Sequence, residues 1–219
     1  DAFISAGNTG AMMVGALYSI KAIEGVFRPT IGAYIPRETG RLGLLLDVGL
    51  NADCKPENLS QFATLGSLFL KEILNYEDPK VGLVNIGEEE GKGNILTQSA
   101  YKLLKENKQI NFIGNIEGRD ILLTKADVLV CNGYTGNVIL KLAESIYDIS
   151  KRRNMDDEYF NRLNFEQYGG VPVLGVSKPV IIGHGISHAM AFKNMIRIAQ
   201  RMIETDLLGK MKDSFVGQA

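Results

Sequence analysis

Five times along this chain an apolar run ends in a turn rich in glycine, asparagine or threonine, and a helix-like stretch follows in most cases. The turns are residues 5–10, 47–51, 85–93, 132–137 and 183–187. Strands and helices that alternate in this way predict a largely parallel sheet flanked by helices, an α/β fold. In such a sheet the turns gather at the carboxyl edge of the strands, where ligands bind. We therefore expect all five turns to contribute to a single pocket.

Two segments depart from the alternation of strands and helices, and a long helix-like segment closes the chain. Strand-like runs at residues 30–35 and 42–46 are joined by a loop at 37–41, which suits one antiparallel hairpin. Residues 151–170 fit either a solvated surface helix and loop or an arm that faces a membrane or a partner. An apolar stripe along residues 187–208 predicts one long closing helix.

The composition excludes several classes of protein. The formal net charge of the 219 residues is −1, which provides no basic surface for nucleic acid. Apolar runs are too short for a transmembrane helix, and no signal peptide is visible. Cys54 and Cys131 lie far apart and are read as two reduced thiols rather than a bridge or a metal site. These features predict a cytoplasmic protein without a nucleic-acid partner.

The chain opens on residues that read as the end of a strand. Residues 1–5 lead directly into the first turn, and no initiator methionine precedes them. A parallel sheet that started here would lack a neighbour for its first strand. We expect one α/β domain over residues 1–219 that is incomplete at its N-terminus.

The chemistry of the turns points to an anionic or phosphorylated ligand. Glycine lets the backbone approach a ligand closely, and helix starts offer unpaired N–H groups to anions. The alternative is plain helix capping, and both can hold because caps and anion sites use the same N–H groups. The candidates for binding phosphate or substrate are Asn8, Thr9, Gly10, Gly91, Gly93, Asn132, Thr135, Gly136 and Ser187.

The third turn is the most unusual, because three glutamates precede Gly91, Lys92 and Gly93. It is not a Walker A loop, since no serine or threonine follows the lysine and the glycine spacing differs. Lys92 between two glycines is predicted to reach an anion that the backbone also contacts. The alternative is a solvent-exposed charged loop.

The two histidines of the chain, His184 and His188, lie four residues apart. A metal site is disfavoured because His184 precedes the predicted helix, so the two rings would not share a face. His184 is instead a candidate proton donor or oxyanion partner. No nucleophile motif and no dinucleotide-binding fingerprint is present. We therefore expect no cofactor, no metal and no covalent intermediate.

Several motifs together resemble one family. The runs DAFISAGNTGAMM, LLLDVGLNADCKPENL, VGLVNIGEEEGKGN, VLVCNGYTGNVILK and KPVIIGHGISHA are similar to those of PlsX, the bacterial acyl-ACP:phosphate acyltransferases. The resemblance implies transfer of a fatty acyl group from acyl carrier protein to inorganic phosphate. The acyl phosphate product would serve a membrane glycerol-phosphate acyltransferase in phospholipid synthesis.

The resemblance also implies a three-layer α/β fold akin to isopropylmalate dehydrogenase and phosphotransacetylase. It further implies a homodimer and a cytoplasmic enzyme that contacts the membrane surface. The chain departs from the family pattern in lacking its N-terminal motif and in a shorter arm around residues 148–168. Asn132 and His188 also stand where the family has acidic residues.

The mechanism that these residues imply is direct attack of phosphate on the thioester. Asn8, Thr9 and Lys92 would hold phosphate, while Asn137 and His184 would serve the oxyanion or the leaving thiolate. His184, Asn137 and Lys92 are thus the candidate catalytic residues. Two alternatives stay open, namely a phosphotransacetylase-like enzyme that uses short acyl-CoA and a non-catalytic protein that binds an anionic metabolite.

Overall fold

A computed structural model describes residues 1–123 and 126–216 of the chain. The described strands form one eight-stranded mixed sheet in the order β1-β8-β7-β2-β3-β6-β4-β5. The strands are β1 (Phe3–Ser5), β2 (Thr30–Pro36), β3 (Leu42–Leu46), β4 (Lys80–Asn85), β5 (Asn111–Glu117), β6 (Val128–Val130), β7 (Gly170–Leu174) and β8 (Val180–Gly183).

Seven α-helices accompany these strands in the described ranges. They are α1 (Thr9–Gly15), α2 (Pro56–Leu74), α3 (Ile95–Glu106), α4 (Gly133–Arg152), α5 (Glu158–Asn161), α6 (Ala189–Glu204) and α7 (Leu207–Phe215). A π-helical turn, Ala16–Ile20, continues α1. Helix α2 begins at Pro56 because the fixed φ of proline suits the first turn of a helix. Within the described ranges, every helix is too short or too polar to span a lipid bilayer.

The helices cover both faces of the sheet and give three layers. Helices α2, α3, α6 and α7 pack on one face, and α1 and α4 pack on the other. Successive side chains of a strand point to opposite faces, and in β3 Leu44 and Leu46 pack on the first face while Leu45 packs on the second. The predicted three-layer α/β fold is therefore confirmed.

The strand directions partly follow the prediction. The hairpin of β2 and β3 is antiparallel, as expected, and β3, β6, β4 and β5 run parallel to one another. Antiparallel pairing extends further, because β7 pairs antiparallel with both β2 and β8. Strand β7 was not predicted, since it contains Gly170 and Pro172, residue types that are rare within strands.

These reversals overturn one expectation about the turns. β8 is parallel to β1, and three successive antiparallel pairings separate β8 from β3. The turns after β1 and β8 therefore lie at the opposite edge of the sheet from the turns after β3, β4 and β6. The prediction that all five turns gather at one carboxyl edge is wrong.

The prediction of one closing helix over residues 187–208 is also wrong, because the structure has two helices there. Helix α6 ends at Glu204 and α7 begins at Leu207. Asp206 between them has φ of 50°, a left-handed conformation that a right-handed helix does not contain. The chain therefore changes direction there, and α7 packs on α2 as a separate helix.

A buried ion pair stabilises the edge of the sheet opposite the carboxyl ends of β3 and β6. The guanidinium of Arg37, just after β2, lies 2.6 Å from the carboxylate of Asp127, and each side chain is about 6% exposed. Arg37 also donates to the main-chain oxygen of Ala126 at 3.2 Å. Asp127 accepts from the main-chain N–H of Lys80 at 2.8 Å. These contacts join the ends of β2, β4 and β6.

Part of the segment at residues 151–170 packs against the β2–β3 hairpin. The hydroxyl of Tyr159 donates to the main-chain oxygen of Pro36 at 3.3 Å. The guanidinium of Arg162 donates to the main-chain oxygens of Arg37 and Gly40. These are the contacts of a surface helix and loop held on their own sheet.

Candidate functional site

A cavity of about 390 Å³ lies between α4 and the sheet. Four of the five turns contribute to its lining, through Gly7, Gly49, Asn137 and His184. Residues of α4 and of β2, β7 and β8 complete the lining between these turns. The shared pocket predicted from the turns thus exists for four of them, although they do not lie along one edge.

The turn after β3 is organised by the buried carboxylate of Asp47. Its Oδ1 accepts from the main-chain N–H of Ile31 at 3.0 Å, and its Oδ2 accepts from the side chain of Asn51 at 3.0 Å. Burial raises the pKa of Asp47, and the hydrogen bonds from Ile31 and Asn51 oppose that rise. Asp47 therefore holds Val48 and Gly49 in place at the cavity wall, a role that the sequence reasoning missed.

Asn137, in the first turns of α4, contacts that wall directly. Its Nδ2 donates to the main-chain oxygen of Val48 at 3.2 Å. Gly49 has φ of 127°, and a Cβ there would lie 3.0 Å from the same Nδ2, so only glycine fits. A primary amide carries two N–H donors, and among the described residues Asn137 uses one of them, which leaves the other for a ligand. Asn137 is therefore anchored beside the cavity with donor capacity to spare.

The start of α4 uses its other candidate groups internally. Asn132 caps the helix by accepting from the N–H of Thr135 at 2.9 Å, and the N–H of Gly136 donates to the oxygen of Asn132 at 3.0 Å. A Cβ at Gly136 would overlap the main-chain oxygen of Asp47. Capping and close packing account for these three residues, and their role in binding an anion stays a prediction.

The first turn begins α1 and borders the cavity at Gly7. Asn8 caps α1 by accepting from the N–H of Ala11 at 3.0 Å, and it lines a neighbouring groove along that helix. Gly10 lies in the first turn of α1. The side chain of Thr9 lies outside what the structure describes. Phosphate binding by Asn8, Thr9 and Gly10 remains a prediction.

The third turn contributes no lining residue to this cavity. Lys92 is 51% exposed, and its amine lies 4.0 Å from the carboxylate of Glu89. Gln98 donates to the main-chain oxygens of Gly91 and Gly93, and Gly93 has φ of 94°, so glycine is required there by the turn itself. These contacts are those of an exposed charged loop, and the role of Lys92, Gly91 and Gly93 toward phosphate stays a prediction.

The fifth turn brings His184 to the cavity. Its Nδ1 accepts from the main-chain N–H of Ile186, with the two nitrogens 3.5 Å apart, and the N–H of Ser187 donates to the main-chain oxygen of His184 at 2.9 Å. His188 precedes α6 and donates its main-chain N–H to Glu166. The two histidines therefore do not share a helix face. Across residues 1–123 and 126–216 no cluster of three or more metal-ligating side chains occurs.

Two charged residues of the cavity wall were missed by the sequence reasoning. Lys141 and Glu144 line the cavity, with the lysine amine 2.7 Å from the glutamate carboxylate. Asn137, Leu140, Lys141 and Glu144 follow the spacing of one helix face. That spacing was available in the sequence and would have placed a cation beside Asn137 once α4 was known to face the ligand.

Burial disfavours the thiolate form of both cysteines. Burial raises the pKa of Cys54 to about 11 and raises the pKa of Cys131 as well. Both are free thiols, and both are protonated near neutral pH because the thiolate forms only as pH approaches the pKa.

The chain matches a known protein family and several curated relatives. A family model described as "Fatty acid synthesis protein" matches residues 1–156 and 152–210. The chain is 44% identical to a phosphate acyltransferase of Acetivibrio thermocellus over an alignment of 235 residues, which covers 99% of this chain and 69% of that protein. It is 47% identical to a phosphate acyltransferase of Chlorobaculum tepidum, covering 93% of this chain and 70% of the relative.

Solved structures share the fold at lower identity. A phosphotransacetylase from Streptococcus pyogenes superposes with a TM-score of 0.65 at 19% identity, covering 93% of this chain and 63% of that one. A branched-chain phosphotransacylase from Enterococcus faecalis V583 superposes with a TM-score of 0.63 at 16% identity, covering 92% and 74%. The likeness establishes the fold, and the chain spans roughly two thirds of the proteins that it matches.

Proposed function

The chain belongs to the fatty acid synthesis protein family, and from this membership we propose that it transfers a fatty acyl group from an acyl carrier protein thioester to inorganic phosphate. The product is acyl phosphate, which feeds phospholipid synthesis. The relatives at 44% and 47% identity carry the name phosphate acyltransferase. We further propose that residues 1–219 act as one acyltransferase domain.

The observation that carries this proposal is the composition of the cavity. Ile31, Ala33, Val171 and Ile182 form an apolar floor, while Asn137, Lys141 and His184 belong to the same lining. A substrate that joins an apolar chain to a reactive polar group requires both kinds of surface. The apolar floor favours a fatty acyl group over an acetyl group, which would leave most of that floor uncovered.

The reaction proceeds by direct attack. A phosphate oxygen attacks the thioester carbonyl carbon, a C–O bond forms, and the carbonyl oxygen becomes an oxyanion. Collapse of this intermediate breaks the C–S bond, and the thiolate of the carrier leaves and takes up a proton. Positioning phosphate beside the carbonyl can contribute on the order of 7–11 kcal/mol to lowering the barrier.

Three polar side chains of the cavity each have one part in that scheme. The ammonium of Lys141 attracts phosphate, with Lys92, Asn8 and Thr9 retained as further candidates. The second N–H of Asn137 donates to the oxyanion, because preorganised amide donors stabilise the charge that develops there. His184 protonates the leaving thiolate. The turn that carries Asn137 also contains Asn132, Thr135 and Gly136, and the turn that carries His184 contains Ser187. The N–H groups of these two turns support the two side chains.

The proposal is tested by measuring thioester cleavage with and without phosphate. We expect consumption of palmitoyl-carrier thioester only when phosphate is present, with acyl phosphate as the product. Acetyl-CoA with phosphate serves as the second substrate pair. Faster turnover of acetyl-CoA would favour the phosphotransacetylase-like alternative, and cleavage of neither thioester would leave an anion-binding protein as the better account.

A homodimer is part of the same proposal. The outward face of α4 carries Tyr134, Val138, Leu142 and Ile149, which are between 53% and 70% exposed. These four residues recur at helical spacing along one face. An apolar stripe of this length on a helix that also lines the cavity supports contact with a second copy of the chain.

We also propose a cytoplasmic location with contact at the membrane surface, where the acyl phosphate would meet a membrane glycerol-phosphate acyltransferase. Helix α6 exposes Phe192 and Ile196 beside Lys193 and Arg197, a combination that favours anionic lipid surfaces. Co-sedimentation with anionic vesicles, and its absence with neutral vesicles, is the expected result. Equal recovery in the supernatant with both vesicles would remove this part of the proposal.

A further inference from the structure

The buried carboxylate of Asp47 is held without a basic partner. Asp47 is 0% exposed, and across residues 1–123 and 126–216 no lysine, arginine or histidine forms an ion pair with it. The buried carboxylate of Asp127, by contrast, pairs with the guanidinium of Arg37. A buried charge is costly unless hydrogen bonds replace the water that it loses. The N–H groups around Asp47 must therefore supply that stabilisation.

These N–H groups come from β2 and from the turn after β3. Oδ1 of Asp47 accepts from the main-chain N–H of Ile31 at 3.0 Å. Oδ2 accepts from the main-chain N–H and from the side-chain amide of Asn51. The start of α4 lies beside the same oxygen, since a Cβ on Gly133 would lie 2.8 Å from Oδ2, and the positive end of a helix dipole favours a negative charge there. One carboxylate thus joins β2, the turn and α4.

This arrangement fixes the carbonyl to which Asn137 is bonded. The N–H of Ile31 donates to the carboxylate of Asp47, and the oxygen of Ile31 accepts from the N–H of Val48 at 3.2 Å. The oxygen of Val48 in turn accepts from Nδ2 of Asn137 at 3.2 Å. A continuous series of hydrogen bonds therefore links the Asp47 carboxylate to the Asn137 amide.

The same turn also positions the helix that carries Asn137. The main-chain N–H of Gly133 donates to the oxygen of Asn51 at 2.7 Å. A Cβ on Gly136 would overlap the main-chain oxygen of Asp47, so α4 begins in close contact with the turn. The acceptor of the Asn137 amide and the backbone that carries this amide therefore both depend on the turn that Asp47 closes.

We propose that Asp47 is a positioning residue for acyl transfer, which acts through the Val48 carbonyl to hold the Asn137 amide in the orientation that binds the oxyanion. The inference rests on the proposed function, since Asn137 is the oxyanion donor of that reaction. Asp47 is not among the described residues that line the cavity, so its contribution passes through the turn. A misplacement of about 1 Å at a reacting centre can lower the rate by on the order of 10²-fold.

The test is a double-mutant cycle of kcat with Asp47→Asn and Asn137→Ala. Asparagine keeps the size of aspartate but replaces one acceptor oxygen with an NH₂ group, which faces the N–H of Ile31 or of Asn51 in either orientation. Asp47→Asn alone should lower kcat by about 10–100-fold, with the KM for phosphate nearly unchanged. In the Asn137→Ala background it should lower kcat by less than about twofold, because the donor that it positions is already absent. A loss of equal size in both backgrounds would overturn the inference.

Asp127→Asn is the matched control. Asp127 is a second buried carboxylate that accepts from a main-chain N–H, that of Lys80 at 2.8 Å, and it is not among the described residues of the cavity lining. Its replacement should lower the urea midpoint and leave kcat per folded molecule unchanged in both backgrounds.

Asn51→Ser decides the question if Asp47→Asn does not fold. This milder variant removes the side-chain amide that donates to Oδ2 of Asp47 and keeps the carboxylate. It should lower kcat when Asn137 is present and have little effect in the Asn137→Ala background. Equal losses in the two backgrounds would again overturn the inference.

A readout without catalysis separates this inference from the proposed function. In protein labelled with isotopically enriched asparagine, the side-chain amide of Asn137 is identified in NMR spectra by the loss of its resonances in Asn137→Ala. Asp47→Asn should shift these resonances, because the bond to the Val48 oxygen changes, and Asp127→Asn should leave them in place. Unshifted resonances with an active wild type would overturn the inference and leave acyl transfer intact. Shifted resonances in a protein without phosphate-dependent transfer would support the positioning and overturn the proposed reaction.

Discussion

The side-chain nitrogen of Asn137 donates a hydrogen bond to the main-chain oxygen of Val48 across 3.2 Å, which fixes the start of α4 against the turn after β3. Because Gly49 has no side chain, the amide lies directly against this backbone. The amide is therefore held in one orientation before substrate arrives, which is the condition for efficient stabilisation of an oxyanion.

Asn137→Ala should lower kcat by on the order of 10²–10³, because one oxyanion donor contributes roughly 2.7–4 kcal/mol. The KM for phosphate should change much less. Steady-state kinetics with saturating acyl-carrier thioester provide the measurement. A rise in KM with kcat unchanged would assign Asn137 to substrate binding rather than to stabilisation of the transition state.

His184→Ala should also lower kcat, by about 10²–10⁴ if the imidazole protonates the leaving thiolate. The decisive control is a thioester with a more acidic thiol, whose thiolate leaves without a proton. The variant should recover much of its activity with that substrate. An equal defect with both substrates would show that His184 does not act as the general acid.

Lys141→Ala and Lys92→Ala form a matched pair for the phosphate site. Lys141 lines the cavity and Lys92 does not, so we expect Lys141→Ala to raise the KM for phosphate at least tenfold while Lys92→Ala has the smaller effect. Initial rates across a phosphate series measure both. The reverse ranking would return phosphate binding to the Lys92 turn, as the sequence motif alone predicts.

Arg37→Met should destabilise the fold by about 3–5 kcal/mol, because it leaves the buried carboxylate of Asp127 without its partner. Urea unfolding followed by circular dichroism measures this loss. Lys105→Ala is the control, since its ion pair with Glu90 is exposed and such pairs contribute about 0–1 kcal/mol. Equal losses in both variants would contradict the structural role of the Arg37–Asp127 pair.

Leu142→Glu should weaken the proposed homodimer by placing a charge in the centre of the exposed α4 stripe. Analytical ultracentrifugation should find wild-type protein at twice the mass of a single chain and the variant at the single mass. Lys102→Glu, on the outer face of α3, is the control and should stay dimeric. A wild-type protein that sediments as a monomer at all concentrations would remove the dimer.

Much of the fold follows from local patterns in the sequence. Helix α2 begins at Pro56, as predicted, because proline at the first position is a local signal. The β2–β3 hairpin is readable from two short apolar runs around a charged loop. Strand β7 and the break at Asp206 were not predicted, since glycine and proline obscure the strand and one left-handed residue inside an apolar stripe has no signature of its own.

The site was predictable in its parts but not in its arrangement. Asn137 and His184 were identified from turn chemistry, and the structure places both in one cavity. The direction of each strand depends on which strands pair, and pairing is a tertiary property that no turn motif records. For the same reason Lys141 could not be assigned to a ligand until the inward face of α4 was known.

The most direct test of the account is the mass of the protein itself during turnover. The protein and palmitoyl-carrier thioester are mixed with or without phosphate, and the reaction is quenched in acid after a single turnover. The protein is then analysed by intact mass spectrometry. The account predicts that acyl phosphate accumulates only with phosphate and that the protein mass stays unchanged throughout. A protein heavier by one acyl group, formed without phosphate and discharged when phosphate is added, would contradict direct attack.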